Sequence, residues 1–303
     1  MLVFLFLAGC FTAPRPLEEP LPPPLEARAA IHYRAFASAD GLAAYLSPGT
    51  GPLLSAHRGG PAPFFPENAL ATFEHALAFA PALVETDVRE AADGALVLLH
   101  DDTLDRTTTG TGPVAERTLP ELRRLRLLDP LDRVTPFTIP TLAEALAWAE
   151  GRAVLVLDPK RGLRPERLVE AVRQAGAENR AVVITYTPEQ FEAYRALAPD
   201  LIYSVNVETP ADLDRLLATG ADPDRLLAFV GVGSLDPATA AALHDAGILV
   251  QVGTFGETDR AALGVGPEVY LDLLDAGADV LATDLVPVAA LALRDYREPV
   301  PVP

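Results

Sequence analysis

The sequence has very little cysteine and no clustered positive charge, and each shortage excludes a class of protein. Cys10 is the only cysteine among 303 residues, so no disulfide bond can form within the chain. The formal net charge is -18 and no stretch is basic, which argues against nucleic-acid binding. Neither a G-x-G-x-x-G nor a G-x-x-x-x-G-K pattern occurs, so the glycine-rich phosphate loops of nucleotide-binding folds are missing.

The first 30 residues differ in composition from the rest. The apolar run Met1–Gly9 is too short to span a bilayer as a helix, and no Lys or Arg precedes it. Leu7-Ala8-Gly9-Cys10 resembles the cleavage site of bacterial lipoproteins, which implies that Cys10 is lipid-modified and begins the mature protein. We therefore predict a signal segment over residues 1–10 and an extended, proline-rich tether over residues 11–30. The alternative is an ordinary buried N-terminal segment with a chance cysteine.

The lipoprotein interpretation predicts a location outside the cytoplasm, with the lipid on Cys10 as the anchor to a bacterial membrane. Phe11, and not aspartate, follows the cysteine. The usual sorting of lipoproteins that this segment resembles then favours the outer membrane and periplasm in a bacterium with two membranes.

Residues 31–298 predict a single α/β domain. Half of all residues are apolar and no internal linker follows residue 50, so the chain can bury one large core. Apolar, strand-like runs alternate with helical patterns, which indicates a parallel sheet covered by helices. The predicted strands lie at 53–56, 83–88, 96–100, 153–157, 181–185, 201–205, 226–230, 248–252 and 280–283. The predicted helices lie at 68–79, 141–149, 164–175, 188–197, 210–218, 236–246, 268–276 and 286–294.

The second and third predicted strands are too close in sequence to be parallel neighbours. Only Arg89–Ala95 separates them, whereas a parallel crossover needs about a dozen residues. Asp93-Gly94 is a hairpin signal, so the third strand is expected to return antiparallel and to bring His100 beside Asp87. Eight parallel strands remain, which predicts a (β/α)8 TIM barrel with a β-hairpin extension after strand 2. A doubly wound open sheet is the alternative, but it normally carries the missing glycine-rich loop.

Polar residues follow the predicted strands at the end where α/β barrels keep their chemistry. An ordered set of motifs resembles the glycerophosphodiester phosphodiesterase family: His57-Arg58-Gly59-Gly60, Pro66-Glu67-Asn68, Glu85-Thr86-Asp87, Asp93-Gly94, His100-Asp101 and Leu104-Asp105-Arg106-Thr107-Thr108. The resemblance is dense from about Leu53 to Leu128 and continues thinly to Ala282-Thr283-Asp284. It implies a barrel of the PLC-like phosphodiesterase type.

His57 and His100 are the predicted catalytic residues. Both lie at strand ends beside charged partners, and two histidines can act as general base and general acid. Which of them is the base is left open by the sequence. The other three, His32, His75 and His244, are interpreted as packed or solvent-facing residues.

Glu85, Asp87 and Asp158 are the predicted metal ligands. Glu85 and Asp87 are two positions apart on one strand and therefore point to the same side. All three offer oxygen, which favours Ca²⁺ or Mg²⁺ over zinc. The family that the chain resembles usually has glutamate where Asp158 stands, so the shorter side chain is expected to shift the ion or to leave a water between. The alternative interpretation is a set of solvated acids at strand ends.

Arg58, Lys160 and Glu67 complete the predicted substrate site. Arg58 can hold two phosphate oxygens at once, and Lys160 lies two positions after Asp158 and can share its direction. Glu67 matches the family motif and is expected to reach the metal or to orient His57, unless its role is structural. Asn68 is a candidate N-cap of the following helix. The alternative for the two cations is ordinary surface charge.

Two C-terminal segments bear on the substrate's alcohol group and on the last strand. Gly253-Thr254-Phe255-Gly256 stands where the family usually has an aromatic-Thr-x-Asn motif, so the head-group preference is not predicted. Thr283-Asp284 matches the family's last-strand ending, and a structural role is expected for Asp284.

The resemblance implies metal-dependent hydrolysis of a small glycerophosphodiester to glycerol 3-phosphate and an alcohol. Two alternatives remain. The first is a lysophospholipase D on the same barrel, which the tether and the apolar Phe64-Phe65 loop suggest. The second is a catalytically silent surface lipoprotein that binds a ligand or partner. Metal-dependent turnover distinguishes the enzymes from the binding protein, and acyl-chain dependence distinguishes the two enzymes. The sequence gives no oligomeric state.

Overall fold

The computed structural model describes residues 32–297. The predicted signal segment, Cys10 and the proline-rich tether all lie outside these residues. Within the described part, no helix combines the length and the apolar character needed to cross a bilayer.

Eight parallel strands close into a barrel. Their order around it is β1-β9-β8-β7-β6-β5-β4-β2, and β1 pairs with β2 to complete the circle. The strands are β1 Leu53–Ala56, β2 Ala82–Glu90, β3 Leu96–Leu98, β4 Val154–Pro159, β5 Ala181–Thr185, β6 Ile202–Asn206, β7 Leu226–Val232, β8 Leu249–Gly253 and β9 Val280–Thr283. The predicted TIM barrel is confirmed, and the open-sheet alternative is wrong.

The remaining strand, β3, pairs antiparallel with the outer part of β2, with Val88 opposite Leu98 and Glu90 opposite Leu96. The loop between them has three residues, because the Ala91 N–H donates to the Ala95 carbonyl at 2.9 Å. A three-residue hairpin loop needs a left-handed residue at its end, and Gly94 supplies it with φ 82°.

This loop shifts the register by one residue from the predicted one. Leu99 lies opposite Asp87, since its N–H donates to the Asp87 carbonyl at 3.1 Å. His100 therefore lies one position beyond the residue opposite Asp87, although its charge still acts on Asp87. The sequence signal Asp93-Gly94 marked the turn but not its length.

One helix precedes the first strand, and the other described helices follow strands and surround the barrel. The helices are α1 Ala39–Tyr45, α2 Leu70–Leu77, α3 Leu119–Leu122, α4 Leu142–Ala149, α5 Pro165–Gln174, α6 Pro188–Leu197, α7 Pro210–Ala218, α8 Pro237–Asp245, α9 Glu257–Val265, α10 Leu271–Asp275 and α11 Val286–Arg297. Those from α5 to α8 begin with proline, which suits the first helical position because its missing N–H would have no partner there. The sequence did not predict α1, α3 or α9, and α9 follows Gly256 without a capping side chain.

The core has two layers because strand residues alternate sides. Side chains such as Leu83, Val156 and Val182 fill the barrel interior near its N-terminal end. Their neighbours in sequence, such as Val84, Leu155 and Val183, face the helices. The apolar interior packing leaves the C-terminal end of the barrel to polar side chains.

Candidate active site

The turn after β1 carries two predicted site residues in an uncommon backbone conformation. His57, Arg58 and Gly59 form a single 3-10 turn, in which Arg58 has φ 50° and Gly59 has φ 85°. A Cβ on Gly59 would lie 2.4 Å from the Phe73 ring, so this position requires glycine. The turn directs the Arg58 backbone N–H to Glu85, whose Oε2 accepts it at 2.6 Å. The end of β1 is thereby joined to the acidic residues of β2.

Three buried carboxylates converge at the C-terminal ends of β2 and β4. Glu85, Asp87 and Asp158 are 6%, 1% and 4% exposed, and each has an oxygen within 4.8 Å of the others. Asp87 lies opposite Asp158 in the parallel register, and Glu85 shares the side of Asp87 on β2. The structure thus brings together all three predicted ligands.

Lys160 and Asn68 hold Asp87 from two sides. The Lys160 Nζ lies 2.5 Å from Asp87 Oδ1 and 2.5 Å from Asp158 Oδ2. The Asn68 Nδ2 donates to Asp87 Oδ2 at 2.6 Å, and its Oδ1 accepts the Asp87 backbone N–H at 2.9 Å. These contacts fix the carboxylate in one orientation before any ligand binds.

The electrostatics of the cluster differ from residue to residue. Burial and the charges of Asp87 and Asp158 raise the pKa of Glu85 well above its ordinary value of 4.5. Burial also acts to raise the pKa of Asp87, but the Lys160 ammonium, the electrostatic interaction with His100 and the hydrogen bonds from Lys160 and Asn68 outweigh it, and the net shift is downward. Burial lowers the pKa of Lys160, whereas Asp87 and Asp158 raise it more. The single positive charge of Lys160 therefore does not balance the three carboxyl groups of Glu85, Asp87 and Asp158.

This arrangement fits a hard divalent cation. Asp158 Oδ1 is buried and accepts no hydrogen bond from the described residues, while its Oδ2 accepts one from the Tyr186 hydroxyl at 2.8 Å. A buried oxygen without a partner beside two further carboxylates is what an oxygen-coordinated ion requires. The donor set contains no sulfur or imidazole.

His57 is held at its Nδ1 and on one ring face. Its Nδ1 lies 2.8 Å from Asp284 Oδ1, and its ring stacks on Phe255 with centroids 4.1 Å apart. The Asp284 backbone N–H in turn donates to Asp259 at 2.8 Å. Because Nδ1 is engaged, Nε2 is the nitrogen of His57 available for proton transfer.

His100 is held in the same way through its Nδ1, which lies 2.7 Å from Asp101 Oδ1. Arg106 donates to both oxygens of Asp101, at 2.7 and 2.9 Å. These hydrogen bonds from Arg106 lower the pKa of Asp101, and so does the contact with His100. Both predicted catalytic histidines therefore have Nδ1 on a carboxylate, which leaves Nε2 as the second ring nitrogen.

The sequence model of the Glycerophosphoryl diester phosphodiesterase family matches residues 57–286 of this chain. That range includes the three carboxylates and both histidines described above. The chain belongs to this family of phosphoric diester hydrolases.

Several proteins of known sequence or structure are similar to this member of the family. A glycerophosphodiester phosphodiesterase of Caldanaerobacter subterraneus subsp. tengcongensis is 33% identical over 156 residues, which span 49% of this chain and 64% of that protein. A glycerophosphoryl diester phosphodiesterase structure from Parabacteroides distasonis has TM-score 0.81 and 30% identity, and covers 90% of this chain and 95% of its own. An Oleispira antarctica phosphodiesterase in complex with the product sn-glycerol-3-phosphate has TM-score 0.64 and 26% identity, over 81% of this chain and 98% of its own.

Other predicted residues of this family member have partners that differ from those expected. Glu67 accepts hydrogen bonds from Arg106 at 2.8 and 2.9 Å and pairs with Arg58 at 3.3 Å; it is not part of the carboxylate cluster. Asn68 is not an N-cap, because α2 is preceded by Ala69 with no capping side chain. Asn68 has φ 59° instead, and its side chain contacts Asp87 and Thr86.

Three residues of the site were not assigned by sequence reasoning. Tyr186 directly follows β5, so its place at a strand end was the available signal. Arg106 lies in a long loop whose contact with Asp101 and Glu67 no local pattern indicates. Phe255 reaches His57 from the loop after β8, two strands away around the barrel but distant in sequence.

Proposed function

We propose that this protein hydrolyses glycerophosphodiesters to glycerol 3-phosphate and an alcohol, with His57 and His100 as the proton-transfer groups. The observation that carries the proposal is the matched pair of histidines. Each has Nδ1 on a carboxylate, at 2.8 Å for His57 and 2.7 Å for His100, and each leaves Nε2 for substrate. The product bound to the Oleispira antarctica relative supports the choice of product.

The proposed reaction begins with the 2-hydroxyl of the substrate's glycerol. One histidine accepts its proton while the oxygen attacks phosphorus, and the other protonates the departing alcohol as its bond to phosphorus breaks. Water then opens the cyclic phosphate to glycerol 3-phosphate. A 2-deoxyglycerol substrate that turns over normally would exclude the cyclic route and favour direct attack by water.

The residues around phosphorus have separate roles in this proposal. Glu85, Asp87 and Asp158 would hold Ca²⁺ or Mg²⁺, which would supply positive charge to the phosphoryl oxygens. Arg58 extends along the cluster, with Nε 3.7 Å from Asp87, and is proposed to bind a phosphate oxygen. Lys160 is proposed to contribute a second positive charge from the floor of the site.

The test is glycerol 3-phosphate release from glycerophosphocholine and glycerophosphoethanolamine by the full chain in detergent, with Ca²⁺, Mg²⁺ or EDTA. We expect metal-dependent release that falls about 100- to 10,000-fold in His57→Ala and in His100→Ala. His244→Ala is the matched control, because His244 also pairs with a carboxylate, Asp279 at 2.8 Å, but at the start of β9. Near-full turnover by both site variants would overturn the assignment.

The apolar Phe64-Phe65 loop, one of the two features that suggest a lysophospholipase D, is packed against other side chains. Phe64 and Phe65 are packed: the Arg133 guanidinium lies 3.9 Å from the Phe64 ring centre, and Phe65 stacks on His75 at 3.8 Å. The loop therefore gives no specific evidence for a lipid contact. Lysophosphatidylcholine is the second substrate in the assay. No turnover of any substrate would favour the silent lipoprotein.

We further propose that lipid on Cys10 anchors the protein outside the cytoplasm, and that the proline-rich tether separates the barrel from the membrane. The sequence Leu7-Ala8-Gly9-Cys10 supports this proposal. Phase partition in a cloud-point detergent tests it, since Cys10→Ser should move the protein from the detergent phase to the aqueous phase. Equal partition of both proteins would contradict it.

A further inference from the structure

The ring of His57 is covered on one face by Phe255. The two ring planes are 17° apart and their centroids are 4.1 Å apart, which is a stacked arrangement in full contact. Phe255 belongs to the loop between β8 and α9 and lies 198 positions from His57 in the chain (255 minus 57). This contact is therefore a product of barrel closure and not of local sequence.

Gly253 is what allows Phe255 to take this position. A Cβ at residue 253 would lie 2.9 and 3.0 Å from two atoms of the Phe255 ring, and 3.0 Å from the Val232 side chain. The φ angle of Gly253 is not positive, so backbone freedom does not require glycine here. Glycine is needed because it has no side chain. The aromatic ring folds back over the glycine and reaches the histidine.

The loop that presents Phe255 is anchored to the strand that presents Asp284. The Thr254 N–H donates to the Ala282 carbonyl at 2.7 Å. Asp259, which is buried, accepts hydrogen bonds from the Thr283 hydroxyl at 3.0 Å and from the Asp284 N–H at 2.8 Å. The face contact and the Nδ1 contact of His57 thus come from one connected group of residues.

We propose that Phe255 is a positioning residue for His57, and that Gly253 is required for it. Asp284 fixes the ring nitrogen and Phe255 fixes the ring plane, so together they leave the imidazole one orientation in which Nε2 faces the substrate. Phe255 acts through His57, and the inference rests on the proposed catalytic role of that histidine.

The first test compares Phe255→Leu with Phe65→Leu in the full chain. Both changes remove a phenylalanine stacked on a histidine, but the partner of Phe65 is His75, outside the site. We expect Phe255→Leu to lower kcat about 10-fold, with KM within about 2-fold, because the contact orients a catalytic group and not the substrate. Phe65→Leu should leave both values unchanged, and Phe255→Tyr should restore kcat.

An independent readout is the proton NMR signal of the His57 ring, which the neighbouring aromatic ring shifts. This signal should move in Phe255→Leu and return in Phe255→Tyr. If His57→Ala keeps its activity, the proposed function fails. If His57→Ala is inactive but Phe255→Leu keeps full kcat, the positioning role alone is wrong.

Gly253→Ala gives the second test, because the added methyl group must displace the Phe255 ring. We expect a loss of kcat similar to that of Phe255→Leu, and no further loss in the double variant. Additive losses would show that the two residues act separately and would overturn the requirement for glycine. Should Gly253→Ala fail to fold, the Phe255 variants still decide the proposal.

Discussion

Lys160 is the only lysine in a chain that otherwise uses arginine for its basic side chains, and it lies at the centre of the carboxylate cluster. Its Nζ contacts Asp87 and Asp158 at 2.5 Å each. A compact ammonium fits between two close carboxylates, whereas a planar guanidinium directs its donors outward in a fixed fork. The contact geometry explains why lysine serves here although arginine is used everywhere else.

Lys160→Arg should therefore be damaging despite the conserved charge. We expect kcat/KM to fall about 100-fold, because the larger group displaces both acids from their positions. The adjacent Arg161→Lys is the matched control, since Arg161 is exposed and makes no ion pair among residues 32–297. Steady-state kinetics of both variants would decide, and equal activities would contradict the role given to Lys160.

Asp101 should make stability depend on pH in the acid range. Hydrogen bonds from Arg106 and His100 lower the pKa of Asp101 in the folded state below its ordinary value of 3.8. Such a group stabilises the fold above pH 3.8 and loses that contribution as the pH falls through the folded-state pKa. Asp101→Asn should cost about 1 kcal/mol at pH 7, and the difference from wild type should shrink towards pH 3.

Urea unfolding at several pH values measures this difference. Asp132→Asn is a suitable control, because Asp132 is an exposed acid in a left-handed conformation that asparagine also tolerates. A wild-type advantage that stays constant from pH 7 to pH 3 would show that the charge of Asp101 is not its source.

At the scale of the elements, short connections after strands control where the site residues point. The turn after β1 has positive φ angles at two successive residues, 50° at Arg58 and 85° at Gly59. The hairpin after β2 has three loop residues, which places Leu99 and not His100 opposite Asp87. In both cases the strand was predictable from its apolar pattern, while the exact geometry of the turn was not.

Gly59→Ala tests the first of these turns. The substitution adds a Cβ at 2.4 Å from the Phe73 ring of α2 and also strains a positive φ. We expect a loss of about 2–4 kcal/mol in the free energy of unfolding, from overpacking and backbone strain together.

Gly151→Ala provides the comparison, because Gly151 has φ 72° but no atom within 4 Å of an added Cβ. Its loss should be about 1–2 kcal/mol, the cost of the backbone strain alone. Equal losses in the two variants, measured by denaturant unfolding, would mean that the contact with Phe73 relaxes without cost.

At the scale of the whole molecule, the barrel buries three carboxyl groups close together, and their mutual repulsion destabilises the fold when no cation is bound. Glu85, Asp87 and Asp158 come from two parallel strands and are buried together, and burial and mutual repulsion raise the pKa of Glu85. Since the folded-state pKa lies above 4.5, the metal-free protein should lose stability as the pH rises beyond that value. The same three acids form the candidate cation site.

Replacing Glu85 with glutamine should stabilise the metal-free protein and weaken its stabilisation by metal. Glu85→Gln should unfold about 2–4 °C higher than wild type when both are free of metal, the shift that 1 kcal/mol produces in a large domain. A metal concentration 100 times Kd should raise the free energy of unfolding of wild type by about 2.7 kcal/mol, and that of the variant by much less. Calorimetric melting with Ca²⁺, Mg²⁺ or EDTA measures both effects. A variant that melts below wild type without metal would contradict the repulsion.

The sequence by itself determined the barrel, the strand ends that carry the candidate site residues and the acidic trio. Strand periodicity places Glu85 and Asp87 on one side, and a parallel sheet places the ends of β2 and β4 at one edge. Local pattern and topology alone dictate this arrangement, because both depend only on the order of residues along the chain.

The tertiary structure alone decided the partners of those residues. Asp284 and Phe255 reach His57 from β9 and from the loop after β8, and Arg106 joins Asp101 to Glu67 across a long loop. The local sequence around Asn68 predicts a helix cap, whereas in the folded protein its side chain donates to Asp87. Such contacts depend on how the closed barrel and its loops pack in three dimensions, and no periodic signal in the sequence encodes that packing.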